Sequence, residues 1–108
     1  MSDLQCPATI ILVPPAETAE MAERLRRRGI ARVYASPDAG QPGRQLADAL
    51  GVGLAPFDGD VDGLADMHRG ETVVVLDNGR PGTVELTIDN DGRRQVPWPP
   101  DASAERAG

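Results

Sequence analysis

Aromatic residues and cysteine are both scarce in this chain of 108 residues. Tyr34, Phe57 and Trp98 are its only aromatic residues, so a hydrophobic core must rest on Val, Ile, Leu and Ala. Cys6 is the only cysteine, which excludes a disulfide within the chain and favours a reducing, cytoplasmic location. The sequence therefore does not belong to the disulfide-stabilised class of small secreted domains.

Positive charge and long apolar stretches are also lacking. The formal net charge of −6 argues against binding nucleic acid or an anionic membrane through general electrostatics. The first residues contain neither a basic segment nor a sustained apolar stretch, so no signal peptide and no transmembrane span is predicted. The length suits one domain, assigned to residues 1–98, and residues 99–108 have the Pro, Ala and charge content of a disordered tail.

What the sequence does contain is an alternation of strand and helix signals. Residues 9–13 are a continuous apolar run, as in a strand buried on both faces. Glu17 and Glu20 then fall in the first turn of a helix whose last turn is rich in arginine, an order that complements the helix dipole. Gly29 is suited to the left-handed position just past the helix end.

The same reasoning assigns the middle of the chain. It predicts strands at 32–35, 54–57 and Thr72–Leu76 and helices at 43–50 and 61–69. Gly51 and Gly70 are the predicted stops of these two helices.

The last part of the chain follows a different period. Val84, Leu86 and Ile88 alternate with polar residues, which indicates a strand with one wet face. A turn at 89–92 and an antiparallel return over 94–98 complete a hairpin. We therefore expect an α/β fold, a small and mostly parallel sheet flanked by helices, with a C-terminal antiparallel β-hairpin on the edge.

The crossing from the first strand to the first helix resembles a known motif. Residues 10–18 read Ile-Ile-Leu-Val-Pro-Pro-Ala-Glu-Thr. They resemble the opening of the histidine phosphatase (phosphoglycerate mutase-like) superfamily, where the strand ends in Leu-Val-Arg-His followed by Gly or Ala, Glu or Gln, and Thr. Pro14 and Pro15 stand where that family has its arginine and its nucleophilic histidine.

Three later stretches are similar to the same family, in the same order. Residues 30–37 are similar to its strand ending in Ser-Ser-Pro, and Gly40 falls where a phosphate-binding arginine follows. Residues 69–79 are similar to its Gly-Glu-Thr-Val strand ending in Ser-His-Gly, with Asn78 at the second histidine. Residues 83–98 resemble its closing hairpin, so the resemblance covers most of the chain.

The resemblance implies a truncated phosphoglycerate mutase-like fold that has lost its chemistry. Phosphoryl transfer to histidine needs a neutral imidazole and cations that hold the phosphoryl oxygens. Proline supplies neither, Gly40 removes another contact, and Asn78 carries no charge. The family's middle insert, with its proton donor, is missing as well. The expected function is that of a catalytically inactive relative without a cofactor, acting through binding as a regulatory or structural subunit, with a homodimer as the simplest partnership.

Two other functions stay open on the same residues. A remnant site for a phosphorylated ligand would use the N–H groups of Ala16 and Glu17, with Ser36 and Asn78. Against it, the prolines remove donors, and nearby acidic residues would repel an anion. An active hydrolase with Asp77 as nucleophile is the remaining alternative, but no base, cation or metal cluster accompanies that residue in the sequence.

A run of aspartates suggests a different ligand. Asp58-Gly59-Asp60-Val61-Asp62-Gly63 matches the first half of an EF-hand calcium loop, and Asp66 takes its ninth position. Arg69 stands at the twelfth position, where the bidentate glutamate should be, so only weak calcium binding would follow. The other interpretation is a polar turn that caps the third helix, with Asp60 or Asp62 as its N-cap.

Two basic features have simple interpretations. His68, the only histidine, lies near a predicted helix C-terminus and would favour the helix dipole there. The arginines at 24 and 26–28 are typical of a solvated helix end, and docking of an acidic partner is the alternative.

Overall fold

The computed structural model describes residues 7–77, 82–89 and 92–97. Their strands and helices follow one another as β1 (Ala8–Val13), α1 (Thr18–Arg26), β2 (Ile30–Ala35), α2 (Gly40–Leu50), β3 (Leu54–Pro56), α3 (Val61–Met67), β4 (Thr72–Leu76), β5 (Val84–Asp89) and β6 (Gly92–Pro97). The predicted order of elements is confirmed over these residues. The predicted tail at 99–108 and the residues Asn78 and Trp98 lie outside the described ranges.

The strands form one mixed sheet of six strands in the order β3-β2-β4-β1-β5-β6. β4 lies between β1 and β2 and is parallel to both, and β3 is parallel to β2. β5 runs antiparallel to β1 and pairs with β6 in the antiparallel hairpin. The chain is therefore an α/β protein, and among its described strands β6 and β3 lie at the two edges of the sheet.

The sheet has a buried cluster on each face. Ile11 and Val13 of β1 point toward α1 and α2, whereas Ile10 and Leu12 point toward α3. All four side chains are at most 1% exposed. The central part of a strand covered on both faces has no position for a polar side chain, and this explains the continuous apolar runs at 10–13 in β1 and 73–76 in β4.

Side chains beside the two ends of α1 form hydrogen bonds to β5 and to the residue that precedes it. The Arg28 guanidinium, just past its C-terminus, donates to both carboxylate oxygens of Glu85, at 2.9 and 3.3 Å. The Thr83 hydroxyl donates to the Glu17 carboxylate at 2.6 Å beside its N-terminus. These contacts join the α1 segment to the C-terminal hairpin. The sequence alone predicted the hairpin but not these contacts.

Glycine directly follows α2 as predicted, whereas α1 ends at Arg26 and α3 at Met67, so that Gly29 and Gly70 lie three residues past the ends of these helices. Gly51 caps α2 in the left-handed region at φ 71°, and Gly29 follows α1 at φ 65°. Side chains other than glycine are disfavoured there because their Cβ crowds the backbone. α2 begins at Gly40, three residues earlier than predicted, because Pro42 fits the first turn of a helix, where no intrahelical N–H bond is lost.

The surface of the described residues is mostly polar. Met67, at 66% exposed, is the one large hydrophobic side chain among them that is exposed. None of the helices in the described ranges has the length and apolar character needed to cross a membrane.

Candidate functional site

The residues that resemble a phosphatase site follow β1, β2 and β4. The last residues of these parallel strands lie side by side and form the carboxyl end of the sheet. Val13 of β1 and Ala35 of β2 are both in register with Leu76 of β4. The Asp77 N–H donates to the Val13 carbonyl at 3.2 Å, and the Ser36 N–H donates to the Leu76 carbonyl at 3.1 Å. The fold therefore brings the starts of the Pro14, Ser36 and Asp77 segments side by side, as parallel strands require.

Pro14 occupies the end of β1 as a buried residue in an extended conformation, with φ −68° and ψ 142°. Its carbonyl accepts the Glu17 N–H at 2.9 Å, and a 3-10 turn, Pro15–Glu17, carries the chain into α1. The Thr18 hydroxyl donates to the Pro15 carbonyl. The segment is thus a hydrogen-bonded turn, and its two prolines carry no nucleophilic side chain.

The predicted ligand donors at the carboxyl end of the sheet are only partly available. The N–H of Glu17 is bonded to the Pro14 carbonyl, and its carboxylate accepts from Thr83. Ala16 is exposed. The Ser36 hydroxyl is buried and has no hydrogen-bond partner, whereas its N–H donates to the Leu76 carbonyl and its carbonyl accepts from the Ala39 N–H.

Among the described residues, the charged side chains at the carboxyl end of the sheet are acidic. The residues that directly follow β1, β2 and β4 in the described ranges, at 14–18, 36–40 and 77, include no histidine, arginine or lysine. Glu17, Asp38 and Asp77 are among them. In the described residues, these strand ends would offer a phosphoryl group carboxylates and no cation, which is the opposite of what phosphoryl transfer requires.

A cavity of about 310 Å³ lies beside the carboxyl end of the sheet, between α1 and α2. Its lining consists of alanines and prolines with Thr18, Gln45 and Leu46, and no charged side chain belongs to it. The chemistry of the cavity is therefore that of an apolar groove, without a charge to hold an anion.

Two aspartates of the predicted calcium loop, Asp58 and Asp60, lie on the turn before α3 and stabilise it, whereas Asp62 and Asp66 lie in α3 itself. Asp60 is the N-cap of α3, and its Oδ1 accepts the Gly63 N–H at 3.0 Å. The Asp58 carboxylate accepts the Asp60 N–H at 2.9 Å. The capping interpretation is confirmed for Asp60.

The other two aspartates of the loop pair with arginines. Asp62 contacts Arg93 of β6 at 2.9 Å, and Asp66 contacts Arg69 at 3.2 Å. Among the described residues, no three His, Cys, Asp or Glu side chains are grouped so that they could hold a metal ion. Calcium binding stays a prediction, and it would require the separate partners of these four carboxylates to be exchanged for the ion.

One polar constellation was not predicted from the sequence. The Tyr34 hydroxyl lies 2.7 Å from His68 Nε2, and His68 Nδ1 lies 2.8 Å from the Glu71 carboxylate. A neutral imidazole with its proton on Nδ1 satisfies both contacts, since Nε2 then accepts from the phenol. His68 is therefore held in place by two side chains, a more specific role than the dipole interaction that its position at the C-terminus of α3 suggested.

This carboxylate–imidazole–phenol chain borders a second cavity. The cavity measures about 280 Å³ and is lined by Tyr34, Phe57, Leu64 and Met67 together with acidic residues of the preceding turn. The rings of Tyr34 and His68 meet edge to face, with centroids 5.7 Å apart. No local sequence pattern joins residues 34 and 68, so only the packing of α3 on β2 could reveal the contact.

Comparisons with known proteins add no relative. A scan against protein-family models, a search of curated proteins and a search of solved structures each find no match.

Proposed function

We propose that this protein is a shortened, catalytically inactive relative of the histidine phosphatases that acts by binding another protein chain, as a regulatory or structural subunit. The observation that carries the proposal is the pair Pro14 and Pro15, which directly follows β1, where the motif has its arginine and its nucleophilic histidine. A proline there offers neither a nucleophile nor an N–H donor.

The surroundings of Pro14 support the same conclusion. The adjoining strand ends carry Asp77 and Asp38 and no basic residue in the described ranges, and the neighbouring cavity is uncharged. Loss of a nucleophile alone costs several orders of magnitude in rate, and the described residues at these strand ends add no cation that could hold a phosphoryl group.

The intact fold supports a role that needs a folded chain. Strand burial, the left-handed glycine stops and the Asp60 cap all agree with one another. Such agreement between local and tertiary signals is the property of a sequence that specifies one structure. A folded and acidic chain without a catalytic centre is suited to binding, in the cytoplasm that its cysteine content favours.

A turnover assay tests the inactive part of the proposal. The purified protein should release no phosphate above the blank from p-nitrophenyl phosphate or from phosphorylated metabolites. The matched variant Asp77→Asn controls for the alternative of a hydrolase with an aspartate nucleophile. Turnover that disappears in Asp77→Asn would contradict the proposal and favour that hydrolase.

A size measurement tests the binding part in its simplest form. Light scattering coupled to gel filtration, across a hundredfold range of concentration, should give either a dimer or a monomer that associates with a purified partner. A monomer that gains no defined partner would leave the protein without a binding function and contradict the proposal.

A second function has one observation in its favour. The buried Ser36 hydroxyl has no partner, and a ligand at the strand ends could satisfy it. A thermal-shift series with phosphate and phosphorylated metabolites tests this remnant site, with calcium as a separate arm. A ligand at one hundred times its Kd stabilises the folded state by about 2.7 kcal/mol, which is a shift of several degrees. A shift that Ser36→Ala abolishes would favour ligand binding over protein binding.

A further inference from the structure

β6 is an edge strand whose side chains are open to solvent. Gly92, Arg93, Arg94 and Gln95 are all exposed, and Val96 is half-buried. β5 occupies one side of this strand, and among the described strands none lies on its other side. Such an edge presents main-chain N–H and C=O groups to which another extended segment can bind.

The hairpin register indicates which of these groups face outward. Asp89 pairs with Gly92 across two intervening residues, and the pair that closes a two-residue hairpin is hydrogen-bonded. Hydrogen-bonded and non-hydrogen-bonded pairs alternate along an antiparallel ladder. We therefore expect the N–H and C=O groups of Arg93 and Gln95 to point away from β5.

The charge of this edge differs in sign from that of the whole chain. Arg93 and Arg94 are adjacent on a strand, so they project to opposite faces of the sheet. The chain as a whole has a formal net charge of −6. Arg93 contacts Asp62 at 2.9 Å, but both side chains are more than half exposed, and an exposed pair of this kind is weak enough to rearrange.

The opposite edge of the sheet does not offer the same surface. β3 spans three residues, Leu54–Pro56, and its last residue has no N–H to donate. A short edge strand and a proline within it are common features that protect the edge of a sheet from pairing with another strand. Of the two edges, β6 is the one with the length and the donors to accept another strand.

We propose that β6 docks an extended acidic segment of another protein, which adds to the sheet as a further strand. The inference rests on the proposed function of binding a protein partner and names its surface. Acidic side chains on both faces of the incoming strand would meet Arg93 on one face and Arg94 on the other. A second copy of this chain does not fit, because two β6 strands would bring four arginines together at one edge.

The probe is a fluorescein-labelled, acetylated octapeptide, Thr-Glu-Val-Glu-Glu-Val-Glu-Thr, with a version in which every Glu is Lys as its control. Fluorescence anisotropy at low salt should show binding of the acidic peptide alone. The double variant R93E/R94E should weaken binding at least tenfold, because two attractive contacts become repulsive. Gln95→Pro should also weaken it about tenfold while keeping both arginines, because it removes an outward donor on an edge strand that tolerates proline.

The matched control is R24E/R27E, which reverses two exposed arginines of the α1 segment and changes the net charge equally. It should leave binding within twofold of the unaltered protein, and thermal melts confirm that every variant is folded. Equal weakening by both double variants would show attraction by overall charge and overturn the docking site. Retained binding in Gln95→Pro would overturn the added strand.

Failure of the docking site and failure of the proposed function give different results. If the acidic peptide does not bind at all, β6 is not the docking site, and the protein can still be an inactive binding subunit. If gel filtration shows a dimer that R93E/R94E disrupts, the edge belongs to a second copy, and the acidic-segment proposal is wrong. Phosphate release in the turnover assay would contradict the proposed function and would leave the peptide result unchanged.

Discussion

Replacement of His68 by alanine tests whether the unpredicted polar chain fastens α3 to the sheet. Tyr34 is 6% exposed and directs its hydroxyl to His68 Nε2 at 2.7 Å. His68→Ala leaves this phenol buried without its partner. An unsatisfied buried donor costs about 1–3 kcal/mol, so we expect the free energy of unfolding to fall by about that amount.

The companion substitutions should cost less. Tyr34→Phe removes the donor itself and leaves an imidazole whose side chain is 14% exposed and can reach water, so a loss of about 0.5–1.5 kcal/mol is expected. The double variant should lose at least 0.5 kcal/mol less than the sum of the single variants, since the contact can be removed only once. Glu71 is 52% exposed, and Glu71→Gln should change stability by less than about 0.5 kcal/mol.

Urea unfolding followed by far-UV circular dichroism measures these differences, and thermal melts support them at about 4–8 °C per kcal/mol. Met67→Ala is the matched control, since this neighbour on α3 is 66% exposed and should have little effect. Additive effects of Tyr34→Phe and His68→Ala would refute the contact. So would a His68→Ala variant as stable as the Met67→Ala control.

Two further stability predictions use glycine and aspartate pairs within one helix each, and urea unfolding measures both. Gly43→Ala should destabilise the protein by about 1–3 kcal/mol, because its new Cβ would lie 2.7 Å from that of Ala35. Gly40→Ala, with nothing within 4 Å, should be neutral or stabilising, and equal losses at both positions would contradict the packing of α2 on β2. Asp60→Ala should cost about 0.5–2 kcal/mol through loss of the α3 cap. Asp66→Ala, an exposed residue later in the same helix, should cost less than about 0.5 kcal/mol, and the reverse order would show that the cap has been misplaced.

Several elements could be predicted from the sequence because their signals are local. The apolar run of β1 has no room for a polar face, and Gly51 marks the end of α2 by its own conformational freedom. The change of period at Val84 distinguishes the hairpin strand from the buried strands. The predicted starts of two elements were wrong by a few residues. β2 starts at Ile30 rather than 32, and α2 starts at Gly40 rather than 43.

The candidate site was only partly accessible from the sequence. The remnant-site hypothesis grouped Ala16 and Glu17 with Ser36, and the register does bring the ends of β1 and β2 side by side on β4. Other features of the site depend on distances and angles that the spacing of residues in the sequence does not reveal. Examples are the hydrogen bond from the Glu17 N–H to the Pro14 carbonyl and the separate partners of the four loop aspartates. The resemblance to histidine phosphatases stays a prediction carried by the motifs.

The sequence by itself determined which segments become strands and helices, where Gly51 ends α2, and which residue types are missing from the phosphatase-like positions. These properties depend on side chains within about one turn or one strand of each other. The tertiary structure decided that Tyr34 meets His68, that Arg28 meets Glu85, and that β6 is left at an edge with two arginines. Such contacts join residues far apart in the chain, and they exist only because burial of both sheet faces fixes the order and register of the strands.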